Sequence, residues 1–74
     1  MEKVEFAIIE SFGVLSTTPS GWTKELNLVS WNGAEPKYDV RQWSPDHSRM
    51  GKGISLSREE AEDLKTLLIK WLPK

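Results

Sequence analysis

The chain of 74 residues contains no cysteine and a single histidine, His47. Without thiols there is neither a disulfide framework nor a thiolate metal site, and one imidazole cannot furnish a zinc ligand set, so no metal is expected. No apolar run approaches the roughly 18 residues of a membrane span, and Met1-Glu2-Lys3 leads into alternating residues rather than a signal-peptide pattern. The reading is a soluble cytoplasmic protein with no membrane partner. Catalytic patterns are missing as well: there is no glycine-rich phosphate cradle and no nucleophile elbow. Asp46-His47-Ser48 has the residue types of a hydrolytic triad, but three consecutive loop residues cannot meet in triad geometry, and they read as a solvated turn. Glu59 and Glu60 would lie on an exposed helical turn where no burial tunes a carboxyl for acid–base work. The chain is therefore not expected to be an enzyme or to carry a cofactor.

Charge imbalance is also lacking. The net charge of −1 neither favours nor excludes nucleic acid, because cations can gather on one face while acids gather elsewhere. The length allows one domain, residues 1–74, and so small a domain buries only about 60–65% of its unfolded surface. Disulfides and metals being excluded, oligomerisation is the remaining way to stabilise it.

What is present begins with one strongly signalled helix. Ser57 is a good N-cap, Glu60 completes a capping box, acids crowd the first turns, Lys70 lies near the end and Pro73 marks the stop. At 100° per residue, Ala61, Leu64, Leu67, Leu68, Trp71 and Leu72 share an arc of roughly 140°, a core-facing stripe on which the rest of the chain is expected to pack. Ile69 lies outside that arc, where it is either incidental, the usual case, or broadens the apolar face toward a second subunit.

Four strands precede it. Val4 to Ser16 reads as one long strand whose alternation slips near Ile8-Ile9 and again at Gly13, which implies a bend or bulge. Trp22 to Trp31 is the second strand, joined through Asn32-Gly33 and three further residues to a third at Lys37–Trp43, making a hairpin. Met50–Leu56 is the fourth. Alternation puts Leu26 and Leu28 on one side, predicted to meet the helix with Val40, and puts Val29, Trp31, Lys37, Arg41 and Trp43 on the other, predicted to face outward.

Four tryptophans in so short a chain is unusual usage. Trp31 and Trp43, with Lys37 and Arg41 between them and Trp22, Lys24 and Lys52 at the rim, form a set of ring faces interleaved with cations. Unpaired bases stack on rings and phosphates pair with Lys or Arg, so this set suits single-stranded nucleic acid. Tryptophans filling a sheet core would give the same pattern, and alternation alone leaves both readings open.

The run Lys37-Tyr38-Asp39-Val40-Arg41-Gln42-Trp43, then Met50-Gly51-Lys52-Gly53-Ile54-Ser55-Leu56-Ser57 leading into an acidic helix, resembles the single-stranded DNA-binding domain of the transcriptional positive cofactor four family, in particular its short bacterial members. The resemblance implies an α+β fold, a strongly curved four-stranded antiparallel sheet followed by one C-terminal helix, paired into a homodimer. It further implies nucleic-acid contacts from Arg41 and Lys52, with Trp31 and Trp43 matching the family's stacking aromatics only with an offset. The hairpin Trp31–Lys37 is shorter and less basic than in eukaryotic relatives, and their acidic, serine-rich tail has no counterpart.

Taken together, the expectation is a homodimer that binds single-stranded DNA, with RNA as a further candidate ligand, at little sequence preference, and that associates with the nucleoid. Trp22, Lys24, Trp31, Lys37, Arg41, Trp43 and Lys52 would carry binding. Leu64, Leu68, Ile69, Trp71 and Leu72 would carry the dimer. The rival reading is a protein-interaction module in which the same aromatics anchor a protein partner. Transcription, replication and repair all remain open as the process served.

Overall fold

The computed structural model describes residues 4–73. Residues 1–3, and with them the start read above as lacking a signal-peptide pattern, lie outside the described residues, as does Lys74. Strands β1 (Phe6–Thr17), β2 (Thr23–Trp31), β3 (Lys37–Trp43) and β4 (Met50–Leu56) form one antiparallel sheet in the order β1-β2-β3-β4, followed by helix α1 (Arg58–Trp71). The α+β architecture expected from the sequence is the one observed. Among the described residues no helix is long and apolar enough to cross a membrane.

Local chemistry sets the joints. Asn32 and Gly33 both take positive φ, 50° and 75°, and the Ala34 amide donates to the Trp31 carbonyl, so this pair turns the chain between β2 and β3 as the dipeptide predicts. Ser57 Oγ accepts from the Glu60 amide while the Glu60 carboxylate accepts from the Ser57 amide, a complete capping box. The slips read in β1 are real: its ladder with β2 shifts register between Ile8 and Glu10, between Ser11 and Gly13, and between Val14 and Ser16. Each shift bends the strand and sharpens its twist.

The bends coil the sheet tightly. Phe6 lies opposite Trp31 at one end of β2, whereas Trp43 pairs with Thr23 at the other. On a flat sheet those ends would be about 26 Å apart. Yet the ring centroids of Phe6 and Trp43 are 5.0 Å apart, and those of Phe6 and Trp31 are 6.0 Å apart.

That coil reverses the predicted inside and outside. Glu25, Asn27, Val29, Asp39 and Trp43 are buried, and all belong to the row read above as outward. With no second layer over this face among the described residues, the concave side buries its own residues against one another. Leu26, Leu28 and Val40, predicted to be inside, are only half-buried on the convex side. The helix does not cover them. It touches only β3 and β4, and none of its residues is buried. Between Leu56 and Arg58 there is a single residue, Ser57, too short a link for the helix to turn back across the sheet. The apolar stripe of α1 is left facing outward, with Trp71 71% and Leu72 63% exposed.

Candidate nucleic-acid interface

On the concave face the side chains of β2, β3 and β4 interlock. The Asp39 carboxylate, fully buried, accepts from Arg41 Nε at 2.7 Å and Arg41 Nη2 at 2.9 Å. Asp39 and Arg41 are two apart on one strand, so alternation places both on this face. Ser55, the ladder partner of Asp39, donates through Oγ to Asp39 Oδ2 at 2.7 Å and accepts from Trp31 Nε1 at 3.0 Å. The Arg41 guanidinium lies over the Trp31 ring, 4.7 Å from its centroid. Its Nη1 makes a longer contact, 3.5 Å, with the Gly51 carbonyl. Gly53 stands opposite Arg41 in the ladder, and a Cβ there would overlap the Arg41 Cβ and the Val40 carbonyl oxygen.

A second polar group closes the same face beside the β3–β4 loop. Glu25 accepts from Thr23 Oγ1, from Asn27 Nδ2 at 3.1 Å and from His47 Nε2 at 2.8 Å, and Asn27 Oδ1 in turn accepts from Ser11 Oγ. Burial acts to raise the Glu25 carboxyl, but the hydrogen bonds from Thr23, Asn27 and His47, with the attraction of His47, outweigh it and hold the carboxyl below its ordinary value. The His47 ring stacks on Trp43, their centroids 5.7 Å apart. Asp46, read as part of a solvated turn, accepts from Ser44 Oγ and from both the amide and hydroxyl of Ser48. These bonds, led by the Ser48 hydroxyl, lower its carboxyl to about 2.

The seven residues expected to carry binding do not form one surface. Trp31 and Arg41 are in contact and half-buried, and Lys37 is exposed at the rim of their strand row. Trp43 departs from its expected outward position. It is 0% exposed, packed between Phe6 and His47, so neither ring face is open to a base. Its Nε1 is the one buried side-chain polar atom without a partner among the described residues. Lys24 is exposed and pairs with Gln42 on the opposite, convex row. Gly51 and Lys52 together face Gln42 in a bulge of β4 between the Arg41–Gly53 and Trp43–Met50 pairs. Trp22, half-buried, comes within 3.8 Å of where a Gly51 Cβ would be. Trp22, Lys24 and Lys52 thus lie around the Gln42 bulge, which Arg41 also reaches through the Gly51 carbonyl. Leu64, Leu68, Ile69 and Trp71 on α1, and Leu72 at its C-cap, are all exposed.

Three contributors to the concave face escaped the sequence reading: Asp39, Ser55 and the Glu25–His47 pair. For Asp39 there was a signal. Aspartate is disfavoured in strand interiors, and an Arg two residues on shares its face. Glu25 and His47 are joined only by tertiary structure, across 22 positions.

Residues 18–67 match the model of the family described as Transcriptional Coactivator p15 (PC4). A protein of Treponema pallidum (strain Nichols), described as uncharacterized, is 49% identical over 63 residues, which is 85% of this chain and 74% of that protein. The family match takes in β2, β3, β4 and most of α1, the elements that build the concave face, and by that coverage the chain belongs to the transcriptional coactivator p15 (PC4) family.

Proposed function

We propose that the protein binds single-stranded nucleic acid, DNA first and RNA second, with little sequence preference, as a homodimer. The observation that carries this reading is the Arg41 guanidinium lying over the Trp31 ring, 4.7 Å from its centroid, on a curved sheet face, with Lys37 exposed on the same row. A flat cation on an aromatic ring is a surface on which any base can stack, since every base has a ring face. Family membership supports the same ligand. Lys37, and Lys24 and Lys52 around the β4 bulge, would pair with the backbone as the strand continues over the sheet edge. Trp22 beside that bulge is a second stacking position. Trp43 has no direct part in this reading and supports the face from beneath.

The bare helix supports the dimer part of this reading. Leu64, Leu68, Ile69, Trp71 and Leu72 expose apolar surface with no partner among the described residues, and a second copy offers the same surface. Location at the nucleoid and a part in transcription, replication or repair belong to this reading as its cellular setting.

The test is tryptophan fluorescence of the full chain titrated with oligo-dT at two salt concentrations, with matching duplex as control. The expected result is saturable quenching near one strand per two chains, weak with duplex. Few phosphate contacts imply a shallow salt dependence, about 0.7 units of log–log slope for each. No response to oligo-dT or to oligo-U at either salt would overturn the reading. Salt-insensitive capture of a protein by the same aromatics would put the interaction-module reading in its place.

A further inference from the structure

Asp39 is fully buried and so touches no ligand, yet it holds both residues that would. Four contacts close a ring: Asp39 grips Arg41 through Nε and Nη2, Ser55 donates to Asp39, the Trp31 indole donates to Ser55, and the Arg41 guanidinium lies back over Trp31. Arg and Trp are otherwise mobile side chains whose ordering on binding would cost affinity. In the ring each is fixed before a ligand arrives.

We propose that Asp39 is the positioning residue of the interface, holding Arg41 directly and Trp31 through Ser55 as one rigid stack on which a nucleobase sits. The proposal rests on the single-strand-binding reading above. Two consequences follow from the chemistry. Asp39 occupies Nε and one N–H of Nη2 of Arg41, and the Gly51 carbonyl accepts from Nη1 at 3.5 Å. One N–H on each of Nη1 and Nη2 is left to donate to a phosphate oxygen. Stacking on this plane uses ring faces, which every base has, so it carries little base preference. In addition, Asp39 cancels the charge of Arg41, so the pair attracts a strand through its planar surface more than through its field. Losing the carboxylate should weaken stacking while leaving, or raising, attraction for the phosphates. A residue that merely supported the fold would weaken both.

The experiment compares wild type, Asp39→Asn and Ser55→Ala for binding to oligo-dT and to an abasic strand of equal length across a range of salt, with circular dichroism to confirm folding. Wild type is expected to prefer oligo-dT by about tenfold or more, from stacking alone. In Asp39→Asn that preference should fall to about twofold or less, with affinity for the abasic strand unchanged or higher and the salt slope steeper by up to about 0.7. In Ser55→Ala, which leaves the Asp39–Arg41 pair in place, the preference should fall partway while abasic binding holds. If Asp39→Asn does not fold, Ser55→Ala decides. Variants that keep the wild-type preference, or that lose affinity for both strands in proportion, overturn the proposal. Wild type that binds neither strand overturns the single-strand reading and this proposal with it, whereas wild type that binds with variant preferences unchanged overturns this proposal alone.

Discussion

His47 Nε2 lies 2.8 Å from Glu25 Oε2, so an imidazole at the tip of the β3–β4 loop closes over a carboxylate near the start of β2. The pair binds the loop to the sheet and roofs Trp43. His47 takes a left-handed φ of 60° to reach it, a conformation mildly unfavourable for a non-glycine residue.

Acid should release this closure in a defined window. The Glu25 carboxyl is held below its ordinary value of 4.5, so its contribution to stability is complete above that pH and is lost as pH falls below it. Asp46, lowered from 3.8 to about 2, adds a second loss between those two values. Thermal unfolding followed from pH 7 to pH 2 should show a Tm that is flat above about 4.5 and declines beneath it. Glu25→Gln should remove the upper part of the decline. A Tm that stays level down to pH 3 would refute the assignment.

Glycine is required at position 53 and not at position 13. A Cβ at Gly53 would overlap Arg41 and the backbone of Val40, while one at Gly13 meets nothing within 4 Å. Urea unfolding should find Gly53→Ala destabilised by about 2 kcal/mol or more, the cost of forcing atoms into a filled space. Gly13→Ala should lie within about 0.5 kcal/mol of wild type or slightly above it. Equal behaviour of the two would mean that β4 does not approach Arg41 as described.

The tryptophans should separate into stability and binding. Trp43→Ala removes a fully buried ring and is expected to cost about 3–5 kcal/mol of folding free energy. Trp31→Ala should leave the chain folded and weaken oligo-dT binding by about 1–3 kcal/mol. Denaturation and titration of both variants check this, and a stable Trp43→Ala that loses binding would reverse their roles.

Self-association through α1 predicts that stability depends on concentration. For a folded dimer, each tenfold dilution should lower the apparent stability by about 1.4 kcal/mol of dimer. Trp71→Glu should yield a monomer by sedimentation equilibrium and remove that dependence. A wild-type chain that sediments as a monomer at all concentrations would refute it.

Elements defined by local chemistry could be read from the sequence, and those defined by curvature could not. The Asn32-Gly33 turn, the Ser57–Glu60 box and the bounds of β3 and β4 each depend on residues within a few positions of one another. Alternation correctly divided β2 and β3 into two rows. It does not reveal which row a coiling sheet encloses, and the apolar Leu26, Leu28 and Val40 pointed to the wrong one. The enclosed row is polar, and Glu25, Asn27 and Asp39 can be buried because each finds partners. Two of those partners, His47 and Ser55, come from β4 or the loop before it, at distances in sequence that no periodicity encodes. The pairing of Arg41 with Trp31 likewise depends on the coil, since the two residues are far apart along the hairpin ladder.

The three register shifts of β1 also bear on how the chain behaves in a crowded solution. β1 is an outer strand of twelve residues, and Ile9, Phe12, Val14 and Leu15 along it are exposed. A straight strand of that length and character would offer its free amides and carbonyls as a template on which other chains could add, the usual beginning of sheet aggregation. Each bulge breaks the spacing that an incoming strand must match. The irregularity that coils the sheet around Trp31 and Trp43 therefore also keeps its longest apolar edge from recruiting further strands.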